Sequence, residues 1–113
     1  MRWILRSKIH RATVTEADVN YTGSIGIDEA LIEKAGFLPG EKVLVTDQTN
    51  GERLETYIIP EKKNSGIICM NGPSALLMKK GDIVIIMGFE LSETTIKAQK
   101  VLVDKDNRFA RYL

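Results

Sequence analysis

The longest uninterrupted apolar run in this chain is IVIIM, residues 83–87. The other apolar runs are shorter, and Gly, Pro, Asn and Asp separate them. A run of that length can cross a sheet, but it is far short of a membrane span. The texture therefore predicts many short strands joined by turns. Residues 43–45 and 54–59 flank TNGE, where Asn50-Gly51 predicts a tight turn with positive φ at both central positions. Residues 65–70, 82–91, 100–104 and 108–113 are further strand candidates, and residues 3–15 read as a long, partly alternating strand. Two short helices interrupt them. Asp28 is placed to cap EALIEKAG, ending at Gly36. Pro73 suits a first helical position, and SALLMKKG then closes at Gly81, with Lys79 and Lys80 near the negative helix end. Thr15 to Asp18 can form one further turn. The pattern predicts a mainly β fold, a compact β-barrel with short helices.

Composition narrows what such a barrel can do. At 113 residues the chain is one domain, long enough to bury roughly two-thirds of its unfolded surface. Sixteen basic residues against fifteen acidic ones give a net charge of +1, which argues against a dedicated nucleic-acid binder. One His and one Cys cannot build the usual metal-ligand cluster, and no intrachain disulfide is possible. Cys69, in the run GIICM, is read as a buried structural thiol. The N-terminus MRWILRSKIHR lacks the apolar stretch of a secretory signal, so the expectation is a cytoplasmic protein without a membrane partner.

Four stretches could carry chemistry. NYTGSIGID sets Ser24 between Gly23 and Ile25, and locally this reads equally as a flexible turn. GSIG lacks the G-x-S-x-G spacing of a hydrolase nucleophile elbow, and the lone His10 is a poor candidate base. In NGERLETY, Arg53 and Tyr57 share one strand face while Thr56 points to the other, unless a bulge intervenes. Lys8 and His10, two apart in SKIHR, also share a face and with Arg53 could line an anion pocket. MNGPS joins a strand to a helix, where freed amides could meet a carboxylate. Each stretch also has an ordinary structural reading.

Taken in order, SKIHRATVTEADVNYTGSI, TNGER with TY, then NG and GDIVII resemble the pyruvoyl-dependent aspartate 1-decarboxylase family. The likeness runs from about residue 4 to residue 90. It implies a six-stranded double-ψ β-barrel, assembled as a homotetramer. It also implies self-cleavage between Gly23 and Ser24 into a β chain (1–23) and an α chain (24–113). By the same resemblance Ser24 is the precursor of a covalent pyruvoyl group that forms a Schiff base with the substrate. Thr56 would meet the oxyanion of cleavage and also contact substrate, and Tyr57 would donate the proton that ends decarboxylation. Arg53, Lys8, His10, Asn71, Gly72, Pro73 and Ser74 would bind substrate, with Tyr21 nearby. The implied reaction converts L-aspartate to β-alanine and CO2 for pantothenate and coenzyme A, with no metal. A maturation partner is left open.

Pro73-Ser74 stands where the family has two alanines, and Pro73 offers no backbone N–H to a substrate. Two other readings stay open: a pyruvoyl decarboxylase of another small acidic amino acid, and an uncleaved barrel serving as a binding module.

Overall fold

The structure is a computed structural model describing residues 1–113. Nine strands form one hydrogen-bonded order, β2-β6-β3-β5-β4-β7-β1-β8-β9. They are β1 (Arg2–Thr13), β2 (Glu16–Asp18), β3 (Ser24–Asp28), β4 (Lys42–Asp47), β5 (Arg53–Glu61), β6 (Ile68–Asn71), β7 (Ile83–Ser92), β8 (Gln99–Val103) and β9 (Phe109–Tyr112). One helix, α1 (Glu29–Ala35), and a 3-10 turn over Gly72–Leu76 complete the chain. The mainly β architecture is the one expected.

Alternation along the strands builds the core. Leu54, Val45, Ile86, Ile9 and Val101 lie in register across β5, β4, β7, β1 and β8, and all but Leu54 are fully buried. Burying an Ile or Val side chain stabilises the fold by about 1.5–3 kcal/mol. The next positions on these strands face outward: Lys8, Leu44, Met87 and Glu55 form one row. β1 alternates only partly because its register with β7 shifts between Leu5 and Ser7, and again between Ile9 and Ala12. Arg11, inside the second irregularity, has φ 65.

Asp28 caps α1 as predicted, its carboxylate accepting from the Ala30 amide, and Gly36 ends the helix at φ 75. The same carboxylate accepts from the Asn64 and Gly66 amides, tying the end of β3 to the turn before β6.

Four local expectations are corrected. Thr15–Asp18 is not a helical turn, because β2 pairs in parallel with β6 (Glu16 with Cys69, Asp18 with Asn71). Gly23-Ser24 is not a flexible turn: Ser24 opens β3, a fully buried strand between β5 and β6, which is why residues 24–28 show no alternation. The helix predicted to reach Gly81 stops at Leu76 as a 3-10 turn. Carbonyls that a longer helix would use are taken elsewhere: Leu77 O by the Asn50 amide and Ala75 O by the Lys79 ammonium. Finally, the Asn50-Gly51 turn has positive φ only at Gly51, because the Asp47 side chain accepts from the Thr49 and Asn50 amides and widens the connection.

Candidate active site

The chain reaches Ser24 from the exposed stretch 18–22 and passes at once into the buried centre of β3. Ser24 is 1 % exposed and has φ 141, a conformation that side chains other than glycine rarely adopt. The strained residue is thus Ser24 itself. Gly23, expected to need backbone freedom for its lack of a Cβ, has no positive φ, and a Cβ there would meet nothing. The glycine that packing requires is Gly72, at φ 66: a Cβ there would lie 2.9 Å from Gly23 Cα and 3.0 Å from Gly23 N. The turn after β6 therefore presses its bare backbone on the residue before Ser24.

Two hydrogen bonds define the chemistry at the Gly23–Ser24 bond. The Tyr57 hydroxyl donates to Gly23 O at 3.0 Å, drawing electron density from that carbonyl. The Asn71 amide donates from Nδ2 to Ser24 Oγ, also at 3.0 Å. Asn71 stands where an N-cap would, yet its Oδ1 makes no capping bond to the turn. Its Oδ1 accepts from the Cys69 thiol at 3.0 Å. Ser74 Oγ donates to Asn71 O, so the Ser74 proton is committed to the backbone and unavailable to a ligand.

A cavity of about 260 Å³ opens over this bond, lined by Gly23, Ser24, Thr56, Asn71, Pro73 and Ser74 among others. β5 runs without a bulge against β4, with Thr56 and Leu54 on one face and Arg53, Glu55 and Tyr57 on the other, and the cavity takes in Leu54, Glu55 and Thr56 together. Tyr57 nonetheless bends to the Gly23 carbonyl from beside β3, where its neighbour Ile58 pairs with Ile25. A larger groove of about 540 Å³, by Trp3, Leu44, Glu55 and Phe89, lies away from Ser24.

Ser24, Gly23, Tyr57, Thr56, Asn71, Gly72, Pro73 and Ser74 are brought together. Lys8, His10 and Arg53 are not. Lys8 and His10 point outward from β1 and Arg53 from β5, with β4 and β7 between, and none of them lines the Ser24 cavity. Burial, and then the charges of Lys8 and Arg11, hold the His10 pKa below the ordinary imidazole value, so it is neutral at pH 7. Tyr21 is exposed, its carbonyl against Gly72. The sequence reading of Cys69 as a structural thiol misses that it touches the site, although its place two residues before Asn71 on one strand face signals it. No group of three His, Cys, Asp or Glu side chains is placed to hold a metal ion.

Fold and site define a small β protein with a strained, buried serine hydroxyl beside a carbonyl that already accepts a hydrogen bond. This arrangement is suited to attack by a side chain on its own backbone. Comparison with known proteins shows the family. A family described as Aspartate decarboxylase matches residues 1–110. Proteins named Aspartate 1-decarboxylase are similar along most of the chain. That of Neisseria meningitidis is 54% identical over 111 residues, covering 95% of this chain and 87% of the relative. Those of Clostridium botulinum and Syntrophus aciditrophicus are 53% and 51% identical, covering 92% and 95% of this chain and 87% and 96% of the relatives. The chain belongs to the aspartate decarboxylase family.

Proposed function

We propose that this protein is a self-processed aspartate 1-decarboxylase, releasing CO2 from L-aspartate to leave β-alanine. The observation that carries the reading is Ser24, buried at φ 141 beside a carbonyl that accepts from Tyr57. Ser24 Oγ adds to the Gly23 carbonyl carbon and the C–N bond breaks, so the amide becomes an ester and the hydroxyl proton ends on the freed Ser24 amine. Tyr57 stabilises the oxygen that becomes negative in that step, and Thr56, which lines the same cavity, is proposed to share the task. Loss of the Ser24 Cα proton then breaks the ester, releasing the Gly23 carboxylate. Hydrolysis of the dehydroalanine left at residue 24 expels ammonia and leaves a pyruvoyl group.

Ser24 and its surroundings fit that group: the residue is buried, in a cavity of substrate size, with polar side chains facing it. Bound there, a ketone supplies an electron sink for the carbon that loses its carboxylate. The chain's own residues do the rest. Once the Gly23–Ser24 bond is cut, the Gly23 end is no longer tethered to residue 24, and the Tyr57 hydroxyl is proposed to pass a proton to substrate carbon. Asn71 and the backbone around Pro73 shape the cavity.

No cation lines the cavity, yet aspartate brings two carboxylates. The missing charges lie on the outer sheet face, as Lys8 and Arg53. That face also carries exposed Trp3, Phe89 and Leu91. In a homotetramer, docking of this face against a neighbour brings these cations to the neighbour's Ser24, where the planar Arg53 fork suits a carboxylate. We infer a cytoplasmic enzyme of this kind; no helix is long and apolar enough to cross a membrane.

The test is CO2 release from warmed, purified protein with L-aspartate and L-glutamate. Release from aspartate, abolished in Arg53→Ala, is expected. Equal release from glutamate, or none from either, contradicts the substrate.

A further inference from the structure

We propose that Cys69 is a positioning residue for self-cleavage: its thiol fixes the Asn71 amide so that Nδ2, rather than Oδ1, meets Ser24 Oγ. The proposal rests on the self-cleavage reading above and deepens it. The two ends of an amide have nearly the same shape, so neighbouring donors and acceptors decide which way it faces. At Asn71 the backbone does not decide, since the side chain makes no capping bond. Cys69 does: its thiol lies 3.0 Å from Oδ1, and both residues are buried on β6. Burial, with the carboxylates of Glu16, Glu61 and Asp18 nearby, holds the thiol pKa above its ordinary value. The sulfur therefore keeps its proton and remains a donor at neutral pH.

The direction of the amide matters most when the ester breaks. The Ser24 Cα proton passes to water, a C=C bond forms, and the Cβ–Oγ bond breaks with its electron pair going to Oγ. That oxygen leaves as part of the Gly23 carboxylate. An N–H aimed at Oγ stabilises the charge arriving there, whereas a carbonyl oxygen in its place would repel it.

Cleavage is followed by intact mass on full-length wild type, Cys69→Ala and Cys69→Ser. Alanine removes the donor and should slow cleavage about three- to tenfold, the span of one modest hydrogen bond. It should also accumulate the ester, seen as full-length chain that hydroxylamine cuts at residue 23. Serine restores a donor and should cleave within about twofold of wild type, without accumulating ester. Both variants remove the sulfur from the same packed position, so lost packing lowers both melting midpoints. Equal slowing of the two variants, or cleavage of Cys69→Ala at the wild-type rate, overturns the positioning role while leaving self-cleavage standing. A wild-type chain that stays whole overturns both.

Discussion

Asp47 illustrates how much a single buried group decides here. It is 2 % exposed at the end of β4, and its Oδ1 accepts from the Thr49 and Asn50 amides. Its Oδ2 has no donor from the rest of the chain. Burial, and then the neighbouring Asp82 carboxylate, raises the Asp47 pKa, while that of Asp82 is lowered by its partnership with Asp47. Asp47 thus holds a proton more tightly folded than unfolded. Its contribution to stability is present in acid and is lost as pH rises from the usual carboxylate range through its raised folded value. Asp47→Asn keeps the acceptor for the turn amides and offers Asp82 a permanent N–H. We expect it to raise the melting midpoint at pH 7 by about 4 °C, on the order of 1 kcal/mol, with the gain shrinking towards pH 4. A lower midpoint at pH 7 would contradict this account of the pair. None of it was legible in the sequence, where Asp47 is an ordinary pre-turn aspartate. Tyr57 and Ser24 were legible only as partners in a family pattern; that Tyr57 would hold the Gly23 carbonyl needed the pairing of β3 with β5. Tyr57→Phe loses one donor to the oxygen that becomes negative during cleavage, so it should cleave to completion but about 100-fold more slowly. Its CO2 release, left without the proton donor, should fall much further.

At the level of elements, what was legible was whatever closes on itself locally. Asp28 and Gly36 bound α1 within one stretch of sequence, and strands with alternating faces announced their own period. What escaped depends on remote partners. β2 exists because β6 lies beside it, and the 3-10 turn stops where Asn50 takes Leu77 O. The turn after β6 is also where fold and chemistry meet, through Gly72 against Gly23. Gly72→Ala combines a costly positive φ, about 1–2 kcal/mol, with a collision against the scissile segment. It should slow cleavage more than tenfold, roughly, as that collision displaces the carbonyl from Ser24 Oγ. Gly51→Ala is the control: φ there is 79, but a Cβ meets nothing. It should lose comparable stability and cleave normally; parallel loss of cleavage in both variants would mean that the effect is global.

For the whole molecule, the proposed cleavage would remove one bond from a sheet that does not depend on it. β1 lies in the interior of the sheet, paired with β7 along most of its length and with β8 on the other side. β3 stays held by β5, β6 and the Asp28 contacts. The pieces 1–23 and 24–113 should therefore elute together from a sizing column and part only in denaturant. The placement of Lys8, His10 and Arg53 belongs to this scale too. Sequence grouped them with Ser24, but one chain holds them apart, because strand alternation sends them outward while Ser24 sits at the end of the core.

The proposed chemistry turns on whether the Gly23–Ser24 bond breaks by itself. Intact-mass analysis of the purified chain during warming, with a hydrazide probe for ketones, measures that directly. The account predicts two pieces meeting at that bond, a hydrazide label on the 24–113 piece, and a single unlabelled mass for Ser24→Ala. A wild-type chain that remains at its full-length mass, with no label after prolonged warming, would contradict it.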